Sequence, residues 1–176
     1  QFTNLAGGNN PALNLQRAFR VTSHSSATTT VAYSNNLIDG ANMGFQWLAG
    51  GSFAGNQAVR LTSNTITNGA TGVVVQSDGI ADLRFNRIAG NSVAGVNNLA
   101  GVVTAENNWW GCNFGPGASG AGCAGTANGV LGTVDASPWL TLTTSASPNA
   151  VVTGGSSSVS SLMTINSDAV NTFASG

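Results

Sequence analysis

Apolar residues recur along this chain at alternate positions, in short runs that each end on an asparagine. The segments VAYSNNLI, VRLTSNTI, DLRFNRI and VTAENNWW align on Ile38, Ile66, Ile88 and Trp110, with Asn36, Asn64, Asn86 and Asn108 two residues before each anchor. The asparagines are 28, 22 and 22 residues apart. Val31, Val59, Ala81 and Val103 stand seven residues before the anchors, and Tyr33, Leu61, Leu83 and Ala105 stand five before. Offsets that differ by two place both sets on one face of a strand. A unit of this length, with one turn and one apolar strand face per repeat, predicts the stacked coils of a solenoid.

In such a stack the strands of successive coils lie about 4.8 Å apart, so the four asparagine amides are expected to form a ladder. Asparagine is expected to take the turn itself, because it tolerates left-handed backbone and bonds to neighbouring main chain. On this reading Asn86→Ala costs more than the same change at Asn91, which lies outside the column. The longer first interval predicts about six extra residues in the second coil. Gln46 to Asn56 is their expected place, since Gly50, Gly51 and Gly55 break the pattern there. Gly44, Gly72 and Gly95 follow the anchors by six or seven residues, which predicts a second turn with backbone angles suited to glycine.

Composition supports a folded core and narrows the partners. The 176 residues include 24 glycines, five arginines, six acidic residues and no lysine, yet 41% are hydrophobic. Disorder couples low hydrophobicity with high charge, and this chain has neither. A net charge of −1 provides no electrostatic footprint for nucleic acid or for anionic lipid. Apolar runs such as Gly72 to Val75 are too short to span a bilayer. The expectation is an exported protein, at the cell surface or outside the cell, with no nucleic-acid partner and no membrane insertion. No secretory leader precedes Gln1, so either a leader has been removed or the chain is part of something longer.

Cys112 and Cys123 flank the glycine-rich segment CNFGPGASGAGC. Two cysteines in a chain rich in Ser, Thr and Asn favour one disulfide closing this loop over two free thiols. Zinc is a poor alternative, because the single histidine, His24, belongs to a different coil. No metal or cofactor is expected.

The coil pattern from Val31 to Trp110 resembles the right-handed parallel β-helix of pectate-lyase-like proteins. The later residues Asn107-Asn108-Trp109-Trp110-Gly111, Gly115-Pro116-Gly117, Val134 and Ser137-Pro138-Trp139-Leu140 resemble the closing element of β-helices in large bacterial surface proteins. The resemblance implies an all-β chain in two parts. Residues 1–140 would form a solenoid of five or six coils with its closing element and a disulfide-closed cap loop. Residues 141–176 resemble the first strands of a bacterial Ig-like sandwich. Such a sandwich needs about seven strands, so the two or three present here leave a sheet unfinished.

The resemblance also implies a rival function, that of a polysaccharide lyase or hydrolase. Such enzymes use clustered carboxylates, and here Asp78 and Asp82 are the one close acidic pair. Both are expected as water-exposed aspartates, Asp78 in a turn and Asp82 at a strand edge. Asp39 aligns with Thr67 and Ala89, so no acidic column forms. Arg84 and Glu106 each precede their anchors by four residues and predict a cross-coil ion pair. Arg17, Arg20, Arg60 and Arg87 share no column with one another. His24 lies in a polar loop, and without a G-x-S-x-G elbow it is no hydrolase base. Trp109 and Trp110 should face opposite ways, with one in the core. Trp47 is expected exposed in the inserted loop, where it would serve a carbohydrate-binding or adhesive module. Thr28-Thr29-Thr30 has no counterpart at the coil period, which argues against an ice-binding array.

The function favoured by these residues is structural. The chain would act through shape and self-association, as the repeating unit of a filament in which residues 141–176 donate a strand to a neighbouring copy. A truncated Ig-like domain with frayed strands is the simpler alternative. Carbohydrate is the ligand class left open.

Overall fold

The computed structural model describes residues 2–3, 17–23, 28–49, 57–120, 122–123 and 125–172. His24 and residues 50–56, the centre of the expected insertion, lie outside them. Among the described residues, eleven strands build the stack: β1 (Phe2–Thr3), β2 (Arg17–Ser23), β3 (Thr29–Ser34), β4 (Leu37–Asp39), β5 (Met43–Ala49), β6 (Gln57–Thr62), β7 (Thr65–Thr67), β8 (Thr71–Arg84), β9 (Arg87–Ala89), β10 (Ala94–Thr104) and β11 (Val130–Leu131). They form a parallel β-helix with three faces. The first face stacks β2, β5, β8, β10 and β11, the second stacks β3, β6, β8 and β10, and the narrow third stacks β1, β4, β7 and β9. β8 and β10 are long enough to run through both of the first two faces, and the large sheet curls through 267°.

The alternating apolar positions set the register. Val31, Val59, Ala81 and Val103 pair in sequence across the second face, as do Tyr33, Leu61 and Leu83. Ile38, Ile66 and Ile88 stack on the third. Their side chains meet inside the coils with Phe45, Trp47, Val73, Val75 and Val96 of the first face. At the N-terminal end Phe19, Tyr33 and Phe45 form an aromatic cluster with ring centroids 5.3 to 6.3 Å apart.

Several expectations are corrected here. Trp47, expected in an exposed loop, is a fully buried core residue of β5, in register with Val75. β5 continues past it to Ala49, which pairs with Ser23. Ten residues separate Trp47 from Ala58, whereas four separate their partners Val75 and Ile80, so the six extra residues of this coil all belong to the chain between these two registered positions. Asp78 lies within β8, not in a turn that ends it.

The left-handed backbone also falls elsewhere. It is the residue before each ladder asparagine that has positive φ: Asn35 at 58°, Ser63 at 58°, Phe85 at 56° and Asn107 at 54°. The kink at that residue aims the next side chain into the corner of the coil. At the second turn the positive φ values belong to Gly40, Asn68 and Gly90, two residues after the anchors. Gly44, Gly72 and Gly95 are needed for space. A Cβ on Gly44 would lie 2.6 Å from the Gly72 carbonyl oxygen, and one on Gly72 would lie 2.5 Å from that of Gly95. Coils stacked at strand spacing leave no room for a methyl group at this corner.

Residues 125–140 lay a last, shorter coil on the stack. Val130 pairs with Val96, the Ala105 amide donates to the Asp135 carbonyl (2.6 Å), and the Leu140 amide donates to that of Asn108 (3.0 Å). Trp110 fills the core beneath this coil, and Trp109 is half-buried. The Trp139 ring covers Gly115, where a Cβ would come within 2.8 Å of it. The chain then forms an antiparallel hairpin of β12 (Leu140–Ser147) and β13 (Ser158–Asn166). Its base is held to the solenoid by the Ser167 amide on the Trp139 carbonyl (2.7 Å) and by Asn166 Nδ2 on Asn107 Oδ1 (3.0 Å).

Candidate functional site

Three constellations stand out from the apolar core. The first is the asparagine ladder, in which each Oδ1 accepts two bonds from the coil before it. Asn64 Oδ1 accepts from the Asn36 amide and Nδ2 (both 3.0 Å), Asn86 Oδ1 from those of Asn64 (both 2.9 Å), and Asn108 Oδ1 from those of Asn86 (2.8 and 3.0 Å). The second hydrogen of each Nδ2 goes to a carbonyl inside the coil: Asn64 to Tyr33, Asn86 to Leu61, Asn108 to Leu83. Buried amides are thereby satisfied without water.

A second ladder runs along the opposite turn. The Gly69 amide donates to Asn91 Oδ1 (3.2 Å), and the amide and Nδ2 of Asn91 donate to Asn128 Oδ1 (3.2 and 3.0 Å). Asn91 and Asn128 are both buried. Asn91 is therefore no neutral reference for Asn86. The column is hidden in the sequence because a glycine holds its first position and the disulfide loop separates its last two members by 37 residues.

The second constellation is a chain of charges on the outer side of the second face. Asp82 lies between Arg60 Nε (3.2 Å) and Arg84 Nε (2.6 Å), and Arg84 Nη1 reaches Glu106 Oε2 at 3.6 Å. Arg84 and Glu106 thus meet across coils, but the nearer partner of Arg84 is Asp82. Arg60, which aligned with no other arginine, joins the network because its strand register sets it beside Asp82. The hydrogen bond to Asp82 is the main influence raising the pKa of Arg84, with burial working against it and the charges of Asp82 and Glu106 adding to it. Exposed pairs of this kind contribute about 0 to 1 kcal/mol each.

A groove of about 510 Å³ runs past Arg60, Thr62, Asp82, Arg84 and Phe85. Asp78 is exposed and stands up to about 13 Å away along the strand from Asp82, whose two oxygens each face a guanidinium. The Asp39 carboxylate accepts from Thr67 Oγ1 (2.9 Å) and Asn68 Nδ2 (2.7 Å). Among the described residues, no three His, Cys, Asp or Glu side chains are grouped so that they could hold a metal ion.

The third constellation lies between the cap loop and the hairpin. Cys112 and Cys123 are disulfide-bonded, with Cα atoms 4.7 Å apart. The loop they close sets Asn113 against β12. Asn113 Oδ1 accepts from the Leu142 amide (2.6 Å), and its Nδ2 donates to the Leu142 carbonyl (2.8 Å). One side-chain amide thus takes the place of a strand. The Trp139 indole N–H holds the Asn113 carbonyl in turn, at 2.9 Å. Beside this contact is a groove of about 330 Å³ lined by Trp109, Cys112, Asn113, Phe114, Leu142 and Thr144. Phe114 is 71% exposed at its rim.

Comparison with protein-family models, with curated proteins and with solved structures finds no match to this chain.

Proposed function

We propose that this chain is a structural module of an extracellular surface, a right-handed β-helix of the pectate-lyase-like type that acts through its shape and through self-association of its C-terminal hairpin. The observation that supports this reading is the state of the hairpin. β12 and β13 are eight and nine residues long, and no charged residue occurs from Ala136 to Ser167. Natural edge strands are kept from pairing by charges, proline or brevity, and this hairpin has few of those devices. Val159 and Leu162 are more than half exposed on it. A disulfide, and the absence among the described residues of any helix long and apolar enough to cross a membrane, are compatible with export.

The test is removal of residues 145–176. The shortened chain should keep the β-rich circular dichroism of the solenoid and stay monomeric by light scattering, while the full chain gains mass with concentration. A full chain that stays monomeric at about 1 mM, where even weak contacts form, would refute self-association.

A second reading, a polysaccharide lyase or hydrolase, draws on the groove past Asp82. Release of unsaturated or reducing ends from pectin-like polymers would support it, and loss of that release in Asp82→Asn would tie it to this groove.

A further inference from the structure

The directions of the main-chain groups along the hairpin define what its two edges can accept. Leu140 donates its amide to the Asn108 carbonyl of the coil beneath and Leu142 bonds the Asn113 side chain, so the even-numbered residues of β12 turn their polar groups away from β13. By the two-residue period of a strand, Thr144 and Ala146 do the same. On β13, the Thr164 carbonyl accepts from Thr172 and the Asn166 amide donates to the Val170 carbonyl, so these residues face away from β12. Across the bulge at Met163 and Thr164, opposite Leu142, the outward positions become Ser161 and Val159. Both edges therefore begin covered by the chain's own groups and end open, β12 at Thr144 and Ala146, β13 at Val159 and Ser161.

The two open ends match each other. Val159 stands directly opposite Ala146, on the same face of the sheet as Leu142 and Thr144, which line the groove beside Phe114 and Trp109. Translation of one hairpin sideways in its own sheet brings the outer edge of one β13 against the outer edge of another β12. The strands then run antiparallel with the same face upward, and Val159, 68% exposed in its own copy, lies on the groove side of the new pair. Neither strand carries a charge that would oppose the contact.

We infer that the groove between the disulfide loop and β12 is an acceptor for β13 of a second copy of this chain, paired with Thr144 and Ala146 and seating Val159 against Phe114. This rests on the self-association proposed above and adds the identity of both halves. The contact joins two different surfaces, so its repetition gives an open chain of subunits instead of a closed pair. Asn113 sets the limit of the pairing, because it already occupies Leu142.

Two variants of the full chain test it. Thr144→Pro removes an amide that faces away from β13 and is tolerated on an edge, so it blocks the acceptor alone. Val159→Lys places a charge on the donor edge and leaves the acceptor intact. In sedimentation velocity the unaltered chain should form species that lengthen with concentration, and each variant alone should be a monomer. An equimolar mixture should form a species of twice the monomer mass and nothing larger, because one working acceptor meets one working donor. If the unaltered chain associates and Val159→Lys associates equally well, the groove assignment is overturned while self-association stands. If the unaltered chain remains a monomer, both are overturned. Should Thr144→Pro fail to fold by circular dichroism, Phe114→Ser replaces it as the acceptor variant, with the same expected loss.

Discussion

Asn86→Ala separates a ladder that carries stability from one that merely decorates the turn. The side chain of Asn86 receives two bonds, from the amide and Nδ2 of Asn64, and gives two, to the Leu61 carbonyl and Asn108 Oδ1. Truncation leaves two donors on Asn64 without a partner, in a residue only 3% exposed. The acceptors suffer less, since Asn108 Oδ1 keeps the Asn86 amide. At about 1 to 3 kcal/mol for each buried unsatisfied donor, the loss is about 2 to 6 kcal/mol. Asn91→Ala strands one main-chain donor, that of Gly69, and should cost about 1 to 3 kcal/mol. Asn149→Ala, in the exposed hairpin loop, should stay within about 0.5 kcal/mol of the unaltered chain. Equilibrium denaturation in urea gives all three values on one scale. The expected order is Asn86, then Asn91, then Asn149. If Asn86→Ala costs no more than Asn149→Ala, the amides are compensated by water and the ladder contributes nothing.

Gly72→Ala should destabilise by at least about 1 to 3 kcal/mol, since its Cβ would meet the Gly95 carbonyl oxygen of the next coil; a neutral result in the same titration would show that the coils can move apart. Phe85 holds a φ of 56° where the other coils use Asn or Ser, so Phe85→Asn should raise stability by about 0.5 to 1 kcal/mol. A lower melting temperature would mean that packing of the half-buried ring outweighs the backbone strain. Replacing Cys112 and Cys123 together by serine should cost about 2 to 3 kcal/mol, the value expected for a loop of this length. An unchanged transition midpoint would show that the closing element is held without the bond.

The sequence by itself determined the solenoid and its register. Positions two apart, repeated at the coil period, can bury one side only if Val59 lies on Ala81 and Ile66 on Ile88, because a slip of one residue would turn every core side chain outward. The same arithmetic located the ladder, the cross-coil meeting of Arg84 with Glu106, and the six extra residues of the second coil. What only the tertiary structure decided are the features that depend on direction within a coil or on contacts outside the repeat. Which residue of the Ser63-Asn64 or Phe85-Asn86 pair is left-handed follows from where the chain must bend to keep the asparagine inside, and local preference alone points to Asn64 and Asn86 instead of Ser63 and Phe85. Gly72 is explained by an oxygen of the next coil, which no local pattern displays. Asn91 and Asn128 became partners because the disulfide loop folds away from the stack and returns the chain to the same turn. Trp47 is buried because β5 stays in register with β8 through it, whereas the glycine pattern had suggested a departure already at Gln46. Asn113 holds Leu142 across 29 residues of sequence, and the open half of β12 beyond it exists only because a side-chain amide, and not a strand, ends the pairing there.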